Sequence, residues 1–493
     1  MARPPRNLLL VLADEMRGGD MGHVGNGDVL TPHTDRLARE GVSFTNAIAN
    51  CPVCTPSRGS LLTGVHAHRH CALANDMPIR TDLPTLGTVL RDAGYATGYI
   101  GKWHLDGLPR DVFTPPGPRR LGFDDTWAVW NCHHDYFNGR YYADTPEVRR
   151  IGGYEPDGQT DLAIEFMERK RGEPFALVLS WGPPHGPLEL VPDEYRRMYD
   201  PGKITLSPNV RPDRTDRYTL SVAVPPWEPT EGCRTRLDGE MEERIRESLA
   251  CYYAAITALD HNLGRLLDAL ARLGLAENTI VVFTSDHGGM HWSHGRIRKQ
   301  QPWEESIRVP LVIRAPGRLA SGLKTRVLTG MVDLMPTLLD LLGRASPEGL
   351  DGSSVAPAVL GQAPARRSLL VGIPVPVDSV TEEGVDRGWR GVRTEQHTYA
   401  RWEDRSPWVL YDNAADPYQL RNLVELPRAE DLRKRMDEEL DRLLARCGDG
   451  SLTWQEELAR CGAVEAWNRR ERECNPDAAR LVSVGTRKSG ARE

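Results

Sequence analysis

Short, uninterrupted apolar runs alternate along the chain with longer stretches in which apolar residues return every three or four positions. The runs are Asn7–Ala13, Ala96–Ile100, Phe175–Ser180, Ile280–Thr284 and Leu311–Arg314. A strand that is apolar throughout, rather than at alternate positions, is covered on both faces, as strands of parallel sheets are. The helical stretches include Thr34–Glu40 and a long one from about residue 244 to 273, where Leu249, Tyr252, Ile256, Leu259, Leu263, Leu266 and Leu270 share one face. This alternation predicts an α/β fold, a large and mostly parallel sheet with helices on both sides. The polar, Pro-rich stretch Pro201–Glu240 breaks the rhythm and reads as a surface loop. After about Gly361 the pattern changes. Leu369–Pro376, Trp389–Thr394, His397–Trp402 and Trp408–Asp412 predict a small antiparallel sheet, and Ala429–Cys447 an amphipathic helix. The expected organisation is a main domain over 1–362, a C-terminal subdomain over 363–480 and a flexible tail over 481–493.

With 493 residues the chain exceeds what one core usually supports, which agrees with a large and a small unit. A net charge of -7 and a pI near 6.1 give no support to nucleic-acid binding. No segment approaches the ~20 apolar residues needed to span a bilayer. Leu8–Ala13 is too short for the apolar region of a signal peptide, and nine cysteines, an odd count over a long chain, argue against a disulfide framework. These features predict a cytoplasmic protein with no membrane partner.

The chemistry concentrates at the ends of the apolar runs, where open α/β sheets bind ligands. Asn7–Ala13 leads into Asp14-Glu15, and Ile280–Thr284 into Ser285-Asp286-His287. Acids from two strands form a hard, oxygen-rich pocket for Ca²⁺ or Mg²⁺, and the imidazole of His287 tilts the preference toward Mn²⁺. The alternative for Asp14-Glu15 is a charge pair at a helix N-terminus. The densest motif is Pro52-Val53-Cys54-Thr55-Pro56-Ser57-Arg58-Gly59-Ser60-Leu61-Leu62-Thr63-Gly64. Read locally, Cys51-x-x-Cys54 could be a redox pair or half of a zinc site. No second Cys-x-x-Cys follows, and that reading leaves Arg58 and the Leu-Leu-Thr-Gly tail unexplained.

The Cys-x-Pro-x-Arg core with that tail resembles the modification site of the type I, formylglycine-dependent sulfatases of the alkaline phosphatase superfamily. The resemblance implies a large mixed, mostly parallel sheet sandwiched by helices. It also implies sulfate-ester hydrolysis by Cys54 after a formylglycine-generating enzyme has oxidised it to an aldehyde. One hydroxyl of the aldehyde hydrate attacks sulfur, and the other expels sulfate, so release is built into the nucleophile. Asp14, Glu15, Asp286 and His287 take the places of the family's metal ligands, with Glu15 replacing the commoner Asp. Arg58, Lys102 and His104 of Gly101-Lys102-Trp103-His104, and Lys299 fall where the family has its sulfate-facing groups. His185, in a Pro-His segment, joins His104 as a proton donor or acceptor, and Asn75 matches a sulfate-side asparagine. Thr31–Leu37, Glu304–Pro310 and Leu410–Asp412 through Leu423 resemble family framework. His133-His134-Asp135-Tyr136 is similar to a segment of carbohydrate 6-sulfatases acting on N-acetylglucosamine-type sugars, so His133, His134 and Asp135 are expected at the substrate. Two readings compete with a sulfatase on a small sulfated sugar. One is a phosphonate monoester or phosphodiester hydrolase of the same superfamily, and the other is an unmodified, inactive binding protein.

Overall fold

The computed structural model describes residues 7–210, 239–376 and 387–474. Most of the Pro201–Glu240 stretch and the whole 481–493 tail lie outside the described residues. Eight strands form the main sheet: β1 (Asn7–Asp14), β2 (Val42–Phe44), β3 (Ala96–Lys102), β4 (Thr126–Trp130), β5 (Phe175–Pro184), β6 (Thr279–Ser285), β7 (Leu311–Arg314) and β8 (Leu323–Thr325). Their spatial order is β8-β2-β7-β6-β1-β5-β3-β4. β1 lies inside the sheet, parallel to both neighbours, with Leu9 opposite Leu177 on one side and Val281 on the other. The sheet is mixed because β7 runs antiparallel to β6 and β2. A parallel return needs a crossover helix to carry the chain to the far end of the sheet. Between β6 and β7 the only helix is Glu304–Ile307, so the chain turns back at the same end.

The main helices are α1 (Pro32–Glu40), α2 (Cys54–Thr63), α3 (Glu155–Arg169), α4 (Gly239–Arg272), α5 (Leu334–Leu341), α6 (Glu430–Cys447), α7 (Trp454–Arg460) and α8 (Val464–Cys474). They explain the continuous apolar run of β1. Leu9, Val11 and Ala13 share a core with Phe166 and Met167 of α3 and Leu259, Leu263 and Leu266 of α4. Leu8, Leu10 and Leu12 point the other way, toward Leu61 and Leu62 of α2 and Leu334, Leu338 and Leu339 of α5. Burying each such side chain is worth about 1.5–3 kcal/mol, which fixes the strand between two helical layers.

The C-terminal sheet consists of β9 (Ser368–Ile373), β10 (Trp389–Thr394), β11 (His397–Trp402) and β12 (Pro407–Asp412), antiparallel in that order. Leu370, Val392, Tyr399 and Leu410 pack on Met436, Leu440, Leu443 and Leu444 of α6. The opposite face, with Leu369, Val371, Ile373 and Trp389, closes over Ile48, Cys51, Val53 and Met290 of the main body. The small sheet thereby backs the segment leading into α2. α7 and α8 add Trp454, Leu458 and Trp467, which pack on Leu73, Ala74 and Met77. No described helix is long and apolar enough to cross a membrane.

Candidate active site

Four strand ends converge. β1 delivers Asp14 and Glu15, and β6 delivers Asp286 and His287. β3 and β5 run past their apolar cores into polar sequence, so that Lys102 ends one strand and His185 follows the other. Their close approach depends on Gly101, at φ 101°, where a Cβ would stand 2.0 Å from the Ser180 carbonyl oxygen. Only glycine tolerates that contact and that backbone.

Cys54 is the first residue of α2 and lines a cavity of 1310 Å³. Its Sγ lies 3.2 Å from His287 Nε2, 3.7 Å from Asp14 Oδ1, 3.5 Å from Lys299 Nζ and 3.9 Å from Lys102 Nζ. Burial and Asp14 push the thiol's pKa up, but Lys102, Lys299 and His287 outweigh them and hold it well below the usual thiol range. The position therefore favours negative charge. Cys51 differs: it packs among apolar side chains under the C-terminal sheet, and burial pushes its thiol up. The two cysteines stand in different surroundings and are not bonded to each other.

Beneath Cys54 lies a fully buried charge network. Arg58, expected to face the sulfate, turns down instead and does not line the cavity. Its Nε donates to Asp286 Oδ2 at 2.9 Å, its Nη2 to Asp14 Oδ2 at 3.1 Å, and its Nη1 to the Lys102 carbonyl and Ser180 Oγ. Lys102 Nζ also donates to Asp14 Oδ2, at 2.5 Å. Burial raises the Asp14 carboxyl, but Lys102, His185 and Arg58 more than reverse this and hold it well below the carboxylate range. Burial and the charge on Asp14 leave the Asp286 pKa raised. Asp14, Asp286, His287 and Cys54 each offer a ligand atom within 4.8 Å of the others.

On the cavity wall, Glu15 Oε2 accepts from Lys299 Nζ at 3.0 Å and lies 3.1 Å from His185 Nε2. His134 stacks on His185 with ring centroids 4.3 Å apart. Burial and Lys299 hold the pKa of His185 well below the usual imidazole range. Asn75 Oδ1 accepts from the Thr55 N–H, and its Nδ2 lies 3.9 Å from the Cys54 sulfur. His133 and Asp135 fall outside the cavity lining. His133 Nε2 pairs with Glu155 at 2.9 Å, and Asp135 accepts from Asn138. Sequence reasoning missed Asp76, whose carboxylate meets His104 Nε2 at 3.2 Å and Arg110 at 2.8 and 2.7 Å. It also missed His291, which lines the cavity and whose ring centroid lies 4.0 Å from that of Tyr252 at a tilt of 37°. The only available signal for Asp76 was its place beside Asn75.

A family model described as Sulfatase matches residues 6–344, and one described as N-sulphoglucosamine sulphohydrolase, C-terminal, matches 292–446. The chain belongs to the sulfatase family. This sulfatase is 38% identical over 450 residues to an ulvan-active sulfatase of Formosa agariphila, covering 90% of this chain and 82% of the relative. It is 28% identical to an N-acetylglucosamine-6-O-sulfatase of Bacteroides thetaiotaomicron, covering 85% and 82% of the two chains. A solved structure in complex with its substrate D-glucosamine-2-N,6-O-disulfate superposes with a TM-score of 0.79 over 91% of this chain and 99% of its own, at 24% identity. The sulfatase is accordingly a sulfuric-ester hydrolase that shares the fold of its structural neighbours.

Proposed function

We propose that a formylglycine-generating enzyme converts Cys54 to formylglycine and that the mature protein removes sulfate from a carbohydrate with the help of a divalent cation. The observation that carries this reading is the setting of Cys54: a buried helix N-terminus on a cavity, ringed by two lysines and by the Asp14, Asp286 and His287 donors. The two carboxylates supply the oxygen ligands of Ca²⁺ or Mg²⁺, and the imidazole of His287 shifts the preference toward Mn²⁺. Asp14, Asp286 and His287 would hold the ion; Glu15, the fourth candidate, pairs with Lys299 and His185 and forms a second donor group with Asp14 and His185. A cation held there would supply Lewis-acid polarisation of a sulfuryl oxygen. Formylglycine supplies, as its hydrate, two hydroxyls on one carbon, one to attack and one to drive release.

The chain's own residues do the rest. Lys102 and Lys299 offset charge that builds on the sulfuryl oxygens, the dominant contribution in catalysis of this kind. His185, next to Lys299, handles the proton of the departing oxygen, while His104 serves the residue-54 side. Relatives named for ulvan and for N-acetylglucosamine 6-sulfate support a sugar as the alcohol half, and His134 at the cavity supplies a polar face for its hydroxyls. Peptide mass spectrometry tests the nucleophile, because formylglycine is lighter than cysteine by about 18 Da. Turnover of a sulfated monosaccharide, a nitrophenyl sulfate and an aryl phosphodiester, measured side by side, tests the substrate class. An active enzyme with unmodified Cys54, or one that prefers the phosphodiester, would overturn the proposal.

A further inference from the structure

We infer that Asp76 is a positioning residue that sets the tautomer and direction of His104, completing a carboxylate–imidazole–nucleophile relay at residue 54. The inference rests on residue 54 being the nucleophile. Asp76 is 1% exposed, and its Oδ1 lies 3.2 Å from His104 Nε2. Burial alone would raise the Asp76 carboxyl, but His104 and Arg110 hold it far below the carboxylate range. An ionised carboxylate only accepts hydrogen bonds, so the proton between the two groups resides on Nε2. That leaves Nδ1 as the ring atom available for chemistry, and Nδ1 is buried with no hydrogen-bond partner. Burial lowers the pKa of the imidazole, but the Cys132 sulfur, Asp76 and the Cys54 sulfur that face it raise it to about 10. Replacing the Cys54 thiol by neutral formylglycine removes one of these and brings the ring closer to its proton-accepting form. The groups behind Asp76 are Arg110, Arg470 at 4.0 Å and Cys474 at 3.9 Å, the last two on α8.

The backbone supports the same role. Asp76 and His104 both sit in the left-handed region, at φ 64° and 58°, which costs of order 1–3 kcal/mol per non-glycine residue and clusters at working sites. Thr55 Oγ1 donates to the His104 carbonyl at 2.7 Å, which ties the ring's backbone to the first turn of α2. A nucleophile, a base and a third group that orients the base form the signature of an activated hydroxyl. In the step concerned, the O–H bond at residue 54 breaks and an N–H bond forms at Nδ1. Asp76 stabilises the imidazolium while its own protonation stays unchanged, and the proton later returns by the reverse transfer.

The test compares Asp76→Asn, Asp76→Glu, His104→Ala and the Asp76→Asn/His104→Ala double variant, each with residue-54 modification measured by peptide mass. For Asp76→Asn, kcat should fall about 100-fold or more with KM within about threefold. The limb of the pH–rate profile governed by His104 should move toward lower pH, because the carboxylate that raises its pKa is gone. In the His104→Ala background the same change should cost less than about twofold, since a residue acting through another has nothing left to act through. Asp76→Glu keeps the charge, and with it the paired Arg110, but misplaces the ring, so it should lose kcat about tenfold and leave the pH limb in place. Imidazole ¹⁵N NMR of the Cys54→Ala protein gives a reading independent of turnover: His104 protonated at Nε2, and this preference lost with Asp76→Asn. Additive losses in the double variant, wild-type kcat in Asp76→Glu, or an Nδ1-protonated ring would overturn the inference. Activity surviving in Cys54→Ala would instead refute the nucleophile assignment beneath it.

Discussion

Arg58→Met isolates the charge network under Cys54, because methionine fills much of the arginine's volume and leaves little cavity to add to the result. Two carboxylates, both fully buried, lose a shared partner. Asp14 keeps Lys102 at 2.5 Å, so the deficit falls mainly on Asp286. Removing one member of a buried ion pair costs about 3–5 kcal/mol, more than replacing the whole network by apolar groups would. With an unfolding entropy of about 2.1 cal/mol/K per residue over the roughly 360 residues of the main domain, that cost lowers Tm by about 4–7 °C. Scanning calorimetry in the presence of chelator reads it without cation binding masking the loss. The pH dependence has a definite sign. The folded-state pKa of Asp14 is depressed, so its contribution is present above the unfolded value near 4 and is lost as pH falls. Without Arg58 that depression shrinks and Asp286, already raised, rises further. The gap between variant and wild type should therefore be widest near pH 7, narrow toward about pH 4 as Asp286 takes up its proton, and close only below that, where Asp14 is protonated too. A variant melting within about 1 °C of wild type at pH 7 would show that Arg58 does not hold the carboxylates together.

Cys54→Ala should cut sulfatase turnover at least ~10³-fold with Tm unchanged, whereas Cys54→Ser should give at most a burst without steady turnover. Residual Cys54→Ala activity above about a thousandth of wild type would exclude nucleophilic catalysis there. Asp14→Asn or Asp286→Asn should lower activity and be partly rescued by added Ca²⁺ or Mn²⁺; full activity after exhaustive chelation would remove these residues from a metal site. His134→Ala should reduce kcat/KM for a sugar sulfate ~10-fold or more while sparing a nitrophenyl sulfate, since a hydroxyl-pairing site discriminates strongly. Asp135→Ala, outside the cavity, should change either substrate less than about threefold, and equal losses on both substrates for His134→Ala would place that ring in the catalytic machinery.

The parts of the fold legible in the sequence were those in which one physical constraint acts on many consecutive residues. β1 is covered on both faces, so its apolar run has no gaps, and α4 repeats its buried face over many turns. β2 and β8, three residues each, are too short to show any period. α7 and α8 carry their packing on a few residues such as Trp454 and Trp467 amid charged sequence. The same distinction holds at the site. Acids directly after apolar runs announce a strand end, which made Asp14 and Asp286 readable. Lys102 lies two residues past the apolar run that stops at Ile100, and the strand continues through it because its ammonium is paired inside. In the loop at His133–Asp135 no periodicity says which neighbour faces inward; only His134 reaches the cavity. Arg58 follows the motif on the helix but points beneath it, because two carboxylates buried close together attract a guanidinium more strongly than an open cavity does.

The charge balance of the site leads to a last prediction. Arg58 pairs with Asp14 and Asp286, Lys102 with Asp14, and Lys299 with Glu15, so three buried acids are matched by three buried cations. A divalent cation entering alone leaves a buried excess of positive charge, and sulfate entering alone leaves a negative one. Burying net charge is costly, so each ion should improve the site for the other. The coupling must be reciprocal: the factor by which sulfate tightens Ca²⁺ equals the factor by which Ca²⁺ tightens sulfate. Couplings between neighbouring sites typically fall in the range of about 5–150-fold, and ions meeting over shared ligands belong toward its upper end. Calorimetric titration of Ca²⁺ with and without saturating sulfate, and of sulfate with and without Ca²⁺, measures both factors. In Lys299→Ala, which removes a cation from the sulfate side, Ca²⁺ alone should bind more tightly and the coupling should weaken. If Ca²⁺ binds equally well with and without sulfate, then the two ions do not meet at Cys54, and the carboxylates beneath it serve only the fold.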